Sequence, residues 1–198
     1  MHHIKHLSKD KKFKKILAKQ PPVTLEKRKK VYLWLCMSIM SQQLSTKVAR
    51  VFQQRFLNLY KKEPTAQQIL DTPFDTLRSI GLSNAKAQYV HNVYSFFIEH
   101  KLTDARLNKM KDEEVTELLT QIKGVGHWTA EMVLMFTLGR EDVFAIDDLG
   151  IQQAIMKLYS IDGTDKKKLK EKMLDLSQTW SPYRTYACRY LWGWKDGD

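Results

Sequence analysis

Apolar residues recur along this chain every three to four positions rather than every two, the period of helices that bury one face. Phe13, Ile16 and Leu17 mark a short helix that stops before Pro21-Pro22. The stretch KVYLWLCMSIMSQQL (residues 30–44) is apolar nearly all round and predicts a central buried helix. TKVARVFQQRFLNLY follows as an amphipathic helix, and a short helix is expected from Pro64 to Thr72. PFDTLRSI opens another with Pro73 near its start, a placement helices favour. NAKAQYVHNVYSFFIEH reads as a longer one, and DEEVTELLTQI begins with acidic residues that suit a helix N-terminus. Helices then continue through Thr137 and are expected at 149–159, 167–179 and 182–194. Strand signals are scarce and no linker separates independent domains. The expected class is all-α, with residues 1–198 as one compact unit.

Composition narrows the choice of partner. The 198 residues carry 33 Lys and Arg against 22 Asp and Glu, a formal charge of +11. Such a balance favours a polyanion, because Lys and Arg on phosphates release condensed counterions. Cys36 and Cys188 sit among apolar or aromatic neighbours and read as buried thiols; two cannot build a four-thiolate zinc or iron–sulfur site. Nothing resembles a disulfide framework, which points to a reducing compartment. The stretch MHHIKHLSKDKKFKK lacks the apolar core of a secretion signal, and no window is long and apolar enough to span a membrane. His2, His3 and His6 are read as part of a frayed, solvated terminus rather than as metal ligands. Lys27 to Lys30 and Lys166-Lys167-Lys168 are read as solvated runs that add to the general field.

The stretch LLTQIKGVGHWTAEMVL carries the first candidate chemistry. Helix periodicity runs to Ile122, Gly124 and Gly126 flank Val125, and a helix resumes at His127. Glycines permit a positive φ and let another backbone approach closely. The second helix begins with unpaired N–H groups, which together with the bend suit a DNA phosphate. Val125 pins the bend to the core, and Lys123 and His127 flank the phosphate. A weaker echo, GLSNAKAQYV (81–90), matches GVGHWTAEMV (124–133) at several offsets and is read as structural, with Lys86 placed to touch a phosphate.

EDVFAIDDLGIQQAIMKLY supplies the second. Asp147 and Asp148 follow an apolar run and precede a helix. One of them is expected to cap that helix. A carboxylate here also suits stabilisation of the oxocarbenium-like sugar that forms when a glycosidic bond breaks. Spacing alone leaves open which aspartate would do this.

With SIMSQQLSTKVA and the C-terminal WSPYRTYACRYLW in their right order, these motifs resemble the helix-hairpin-helix DNA glycosylase superfamily. They look specifically like its 3-methyladenine DNA glycosylase II (AlkA-type) branch. The resemblance covers about Trp34 to Trp192. It implies two helical lobes with the active site in the cleft between them: a central lobe of about residues 35–135 with its hairpin at 118–130, and a second lobe of N- and C-terminal helices. The additional N-terminal β domain that some members carry is not expected here. Asp148 matches the catalytic aspartate, and Asp147 becomes a structural neighbour. The carbonyls of Thr120, Ile122 and Val125 fall where members bind Na+ or K+. No other cofactor is implied. Gln43 and Leu44 match the wedge that enters the duplex, and Trp192 an aromatic of the base pocket.

The departures are as informative. Relatives that also nick DNA carry a lysine where this chain has Trp128, so base release without lyase chemistry is implied. Met132 takes a position where an aromatic lines the pocket, which bears on substrate range. The endonuclease III branch carries a four-cysteine cluster where Cys188 stands alone, so no iron–sulfur cluster is expected. The implied activity is monofunctional excision of alkylated purines from double-stranded DNA by a monomer without membrane association. The abasic product passes to an AP endonuclease, in a bacterial cytoplasm or a nucleus. The pocket would be aromatic, built from Trp128 and Trp192, with Trp34 and Tyr186 as further candidates. Core packing is the simpler reading of Trp34, Trp180 and Trp194, and Arg184 reads equally as structural or phosphate-binding. Rival readings are a helix-hairpin-helix DNA-binding module without chemistry, a glycosylase for another lesion, and a metal nuclease using Asp147 and Asp148.

Overall fold

The computed structural model describes residues 1–197, Thr46 and Asp196 by backbone alone. Among the described residues the chain is helical, without a strand, as the apolar spacing predicts. The helices run α1 (His2–Leu7), α2 (Lys11–Leu17), α3 (Val31–Ser41), α4 (Thr46–Asn58), α5 (Ala66–Leu70), α6 (Phe74–Ser79) and α7 (Asn84–Glu99). They continue with α8 (Asp104–Lys109), α9 (Asp112–Leu119), α10 (His127–Phe136), α11 (Leu149–Tyr159), α12 (Lys166–Trp180) and α13 (Arg184–Asp196). Two compact units form: Lys27–Leu138, and Met1–Glu26 together with the chain from Gly139 onward.

In the unit of residues 27–138, α3 packs against α4, α7 and α10, and α5 and α6 pack on α7. Val31, Leu33, Leu35, Cys36, Met37, Ile39 and Met40 of α3 are all buried. Burial pushes the Cys36 thiol up to about 12. Lys30, in a left-handed conformation, offers α3 no side-chain cap. The carboxylate of Asp104 on α8 substitutes, accepting from the Lys30 N–H at 2.6 Å and the Val31 N–H at 3.0 Å. The central helix is shorter than its apolar pattern predicts. It ends at Ser41, because Gln42 turns to φ −53°, ψ 133° and Gln43 to φ 60°.

In the other unit α13 packs against α2, α11 and α12. Phe13 and Trp180 meet in its core with ring centroids 5.4 Å apart. Asp10 caps α2, its carboxylate accepting from the Lys12 and Phe13 N–H groups. The N-terminus is not frayed. α1 buries His3 and Leu7 on one face, and the His3 ring stacks on Tyr186 at 4.0 Å. One helical turn with two anchors is too short to register as periodicity.

Candidate functional site

In the unit of residues 27–138 the glycine bend joins α9 to α10. Gly124 takes φ +107°, and a Cβ there would lie 2.3 Å from Cγ of Tyr89, so both the conformation and the space demand glycine. Val125 is buried and its N–H donates to Ile122 O at 2.9 Å. Asn92 Nδ2 donates to Lys123 O at 3.1 Å, and Gln42 Nε2 donates to Gly124 O at 3.2 Å. Gly126 is different. Its φ of −96° suits any residue, and a Cβ there would meet nothing within 4 Å. Internal packing gives no reason for glycine at this position. α10 has no side-chain cap at Gly126. Lys123 and His127 are exposed on either side of that glycine.

The sequence echo proves to be a repeated geometry. Gly81 has φ +103°, with a would-be Cβ 2.4 Å from the Phe52 ring, and Leu82 is buried as Val125 is. The third position decides the difference: the Ser83 hydroxyl accepts from the Lys86 N–H and fills the cap that Gly126 leaves open. Lys86 itself turns inward. Its ammonium donates to Met40 O at 3.0 Å and Gln42 O at 2.7 Å, and burial lowers its pKa. It thereby holds the loop between α3 and α4, where Gln43 stands exposed and Leu44 half-buried. A cavity of about 250 Å³ lies under this loop, lined by Gln43, Leu44, Phe52, Leu82 and Lys86.

Met132 opens on a second cavity in the same unit, of about 290 Å³. Trp34, Met37, Phe136, Ser38, Gln53 and Arg28 are among its other walls. Trp34 therefore departs from the core-packing expectation: it is 36% exposed, with the Arg28 guanidinium 4.2 Å from its ring centroid. Arg28 is exposed, as the solvated-run expectation has it, whereas Lys30 departs from that expectation, half-buried with its ammonium paired to Glu63 at 2.9 Å. Trp128, one turn before Met132 on α10, is 38% exposed and is not part of this cavity's wall.

In the other unit Asp148 caps α11, its Oδ1 accepting from the Ile151 N–H at 2.9 Å. The same oxygen accepts from Trp192 Nε1 at 2.9 Å. Gly150 makes room for this meeting, since a Cβ there would lie 3.0 Å from Asp148 Oδ1 and 3.2 Å from the Trp192 ring. Asp147 pairs instead with Lys170 at 2.5 Å. Asp147 is exposed and Asp148 half-buried, so neither is lost in packing. Tyr186 is buried against His3, with its hydroxyl donating to Glu141 at 2.8 Å. Arg184 grips Asp142 with two bonds, of 2.8 and 3.0 Å, a structural contact. Burial opposes ionisation of Asp142, yet the bonds from Arg184 and Ser181 hold its carboxyl below the usual range. Trp180 is core, while Trp194 receives the Lys157 ammonium on its ring at 5.0 Å.

One unit thus carries a glycine bend before a helix without a side-chain cap, and the other a carboxylate that accepts from an indole. Residues 36–179 match the family model of the HhH-GPD superfamily base excision DNA repair proteins. The chain belongs to this family. Its HhH-GPD relatives include DNA-3-methyladenine glycosylase 1 of Schizosaccharomyces pombe, 33% identical over 185 residues, covering 92% of this chain and 80% of that one. YfjP of Bacillus subtilis is 33% identical over 169 residues, covering 82% of this chain, which spans 58% of YfjP's length. The solved structure of the S. pombe 3-methyladenine DNA glycosylase Mag1 with abasic DNA superposes with a TM-score of 0.85 at 32% identity, covering 97% of this chain and 95% of that one. A Bacillus halodurans DNA-3-methyladenine glycosidase gives 0.82 at 32% identity, covering 96% and 87%. Among the described residues of this HhH-GPD protein no helix is long and apolar enough to cross a membrane.

Gly150, Gln42, Asn92 and Arg28 were not among the residues the motifs singled out. Gly150 lies within the aspartate motif, and its small size beside a carboxylate was the available signal. The other three act through contacts with residues distant in the chain, which no local pattern reports.

Proposed function

We propose that this chain is a monofunctional DNA glycosylase that hydrolyses the N-glycosidic bond of alkylated purines in double-stranded DNA and leaves an abasic site. The observation that carries this reading is the Asp148 carboxylate, fixed between the α11 backbone and the Trp192 indole in an HhH-GPD chain. Its relatives are named 3-methyladenine glycosylases, and one of them was solved with abasic DNA.

The target base must leave the stack before its glycosidic bond can be reached, at a cost of a few kcal/mol that is smaller for damaged bases. Gln43, exposed at its loop tip, is the side chain to fill the gap, with Leu44 beside it. The α10 N–H groups at Gly126 and His127, with Lys123, take a backbone phosphate. As the C1′–N bond breaks, its electron pair leaves with the base. The sugar becomes an oxocarbenium ion, which the Asp148 carboxylate stabilises until water adds to C1′. Trp192 keeps that carboxylate oriented. Trp128 supplies no amine for a Schiff base, so strand scission is not part of the reaction.

The Thr120, Ile122 and Val125 carbonyls are neutral oxygen donors without a carboxylate among them, a set suited to Na+ or K+. They would hold such an ion at the bend, where its charge supports phosphate binding. The remaining elements of the proposal are a monomer acting on nuclear or nucleoid DNA and an AP endonuclease as recipient of the product.

The test is a set of duplexes, each with one defined lesion, assayed with and without alkali. Release of a methylated base, with strand breakage only after alkali, is the expected result. Breakage without alkali refutes the monofunctional assignment, and no release of any base refutes the glycosylase reading.

A further inference from the structure

We infer that Gln42 is a positioning residue that ties the Gln43 wedge to the α9–α10 bend, so that a DNA backbone seated at the bend also aims the side chain that enters the duplex. The inference rests on the glycosylase reading above and adds a residue to its base-displacement step. Gln42 is held at both ends. Its carbonyl accepts from Lys86 Nζ at 2.7 Å. Its amide Nε2 donates to Gly124 O at 3.2 Å and lies 3.5 Å from Oγ1 of Thr129, a buried residue in the first turn of α10. α7 supports the same two segments. Lys86, Tyr89 and Asn92 follow one another at three-residue spacing, which makes them neighbours along a helix. Lys86 donates to the α3–α4 loop, Tyr89 lies against Gly124, and Asn92 donates to Lys123 O at 3.1 Å. Loop and bend thus share one support, and Gln42 bonds one directly to the other.

The effect of this hold falls on Gln43. Its side chain is exposed and its backbone stands at φ 60°, a region that L residues occupy at a cost. A loop without anchors would relax to cheaper backbone angles and swing that side chain away. Neighbouring Cα atoms lie about 3.8 Å apart, so fastening Gln42 to Gly124 fixes the origin of the Gln43 side chain relative to the bend. A phosphate accepted by N–H groups at the bend then sets the register of the duplex against that origin. Removing the Gln42 amide takes the donor from Gly124 O and frees the loop from the bend, while Lys86 still holds the loop to α7.

The test uses the full chain and a duplex carrying one tetrahydrofuran abasic analogue, with affinity read by fluorescence anisotropy. Gln43→Ala is expected to weaken binding by about ten-fold when Gln42 is present and by about two-fold or less in Gln42→Met, a coupling within the range of residues that share a hydrogen-bond network. Gln42→Met keeps the side-chain length and loses the donor. Gln42→Asn keeps the amide on a side chain too short for Gly124 O, and takes its place if circular dichroism shows Gln42→Met unfolded. Asn92→Leu loosens the bend from the α7 side without touching the loop, and should leave the cost of Gln43→Ala at about ten-fold. An unchanged cost of Gln43→Ala in the Gln42 variants overturns the inference. So does loss of that cost in Asn92→Leu, which marks general softening of the unit, and so does unfolding of both Gln42 variants, which makes Gln42 structural. If Gln43→Ala costs nothing with Gln42 present, Gln43 is not the wedge, and the inference fails while base release by the wild type keeps the glycosylase reading standing. If the wild type releases no base from the lesion set above, both fail together.

Discussion

Trp192 Nε1 donates to Asp148 Oδ1 at 2.9 Å, joining two residues 44 positions apart in the chain. The same oxygen caps α11, so substitution can separate this structural role from the chemical one proposed above. Asparagine caps a helix about as well as aspartate. Asp148→Asn is therefore expected to unfold within about 0.5 kcal/mol of the wild type while base release falls at least about 100-fold. Trp192→Phe keeps the ring and loses the donor, and should cost about ten-fold in single-turnover release. Denaturant titration and lesion-duplex kinetics on the same preparations check all three values.

Gly150→Ala probes the room this pair needs. Its methyl group would sit 3.0 Å from Asp148 Oδ1 and 3.2 Å from the Trp192 ring, tighter than side chains tolerate without a shift. The Trp192 indole N–H resonance in a proton–nitrogen NMR spectrum should move, and release should fall by about the same ten-fold as in Trp192→Phe. A resonance left in place would show that the pair absorbs the methyl group.

The two hairpin glycines should part company. Gly124→Ala forces an L side chain into φ +107° and against Tyr89, and should destabilise the fold by about 2 kcal/mol or more. Gly126→Ala enters open space and should leave the melting temperature nearly unchanged, yet weaken binding to duplex DNA by about ten-fold as its methyl group blocks the phosphate. Calorimetry and fluorescence anisotropy distinguish them.

Lys86→Met removes the donors to Met40 O and Gln42 O and leaves two carbonyls without them. A stability loss of about 1–3 kcal/mol is expected. Base release should fall further than duplex affinity, because the α3–α4 loop loses its hold while the α9–α10 bend keeps its own. Equal losses in both would mean that Lys86 acts on the whole unit rather than on the loop.

Asp142 provides the pH dependence. Its folded carboxyl titrates below the ordinary range, so its contribution is full above the unfolded value of about 3.9 and is lost as pH falls through the lower folded value. The stability gap between wild type and Asp142→Asn should accordingly be constant at neutral pH and close below about pH 4. Urea unfolding between pH 2.5 and 7 reads it directly.

What the chain discloses in advance follows from how local each requirement is. Gly124 was legible because a left-handed turn between two helices needs glycine whatever surrounds it. Helices with a clear apolar stripe, such as α4 and α7, were legible for the same reason. The choice between Asp147 and Asp148 was open locally, since both precede α11. What tells the two apart is contact with Trp192 for Asp148 and with Lys170 for Asp147, and these partners arrive from α13 and α12. Lys86 occupies the first turn of α7, a position that faces a phosphate as readily as protein; carbonyls at positions 40 and 42 determine which way its amine turns. Trp34 misled for a converse reason. An all-round apolar helix suggests burial on every side, and here one side opens on a cavity where Arg28 covers the indole.

Gln43 holds a left-handed backbone that costs a non-glycine residue on the order of 1 kcal/mol. That expense is met during folding, by the lysine anchored beneath and the amide of Gln42 tied to the neighbouring bend. As the wedge proposed above, a side chain so set beforehand would have little disorder left to surrender at each encounter with a helix of DNA. Sampling many normal base pairs for each damaged one would then be cheap, with the speed of search built in before any target is met.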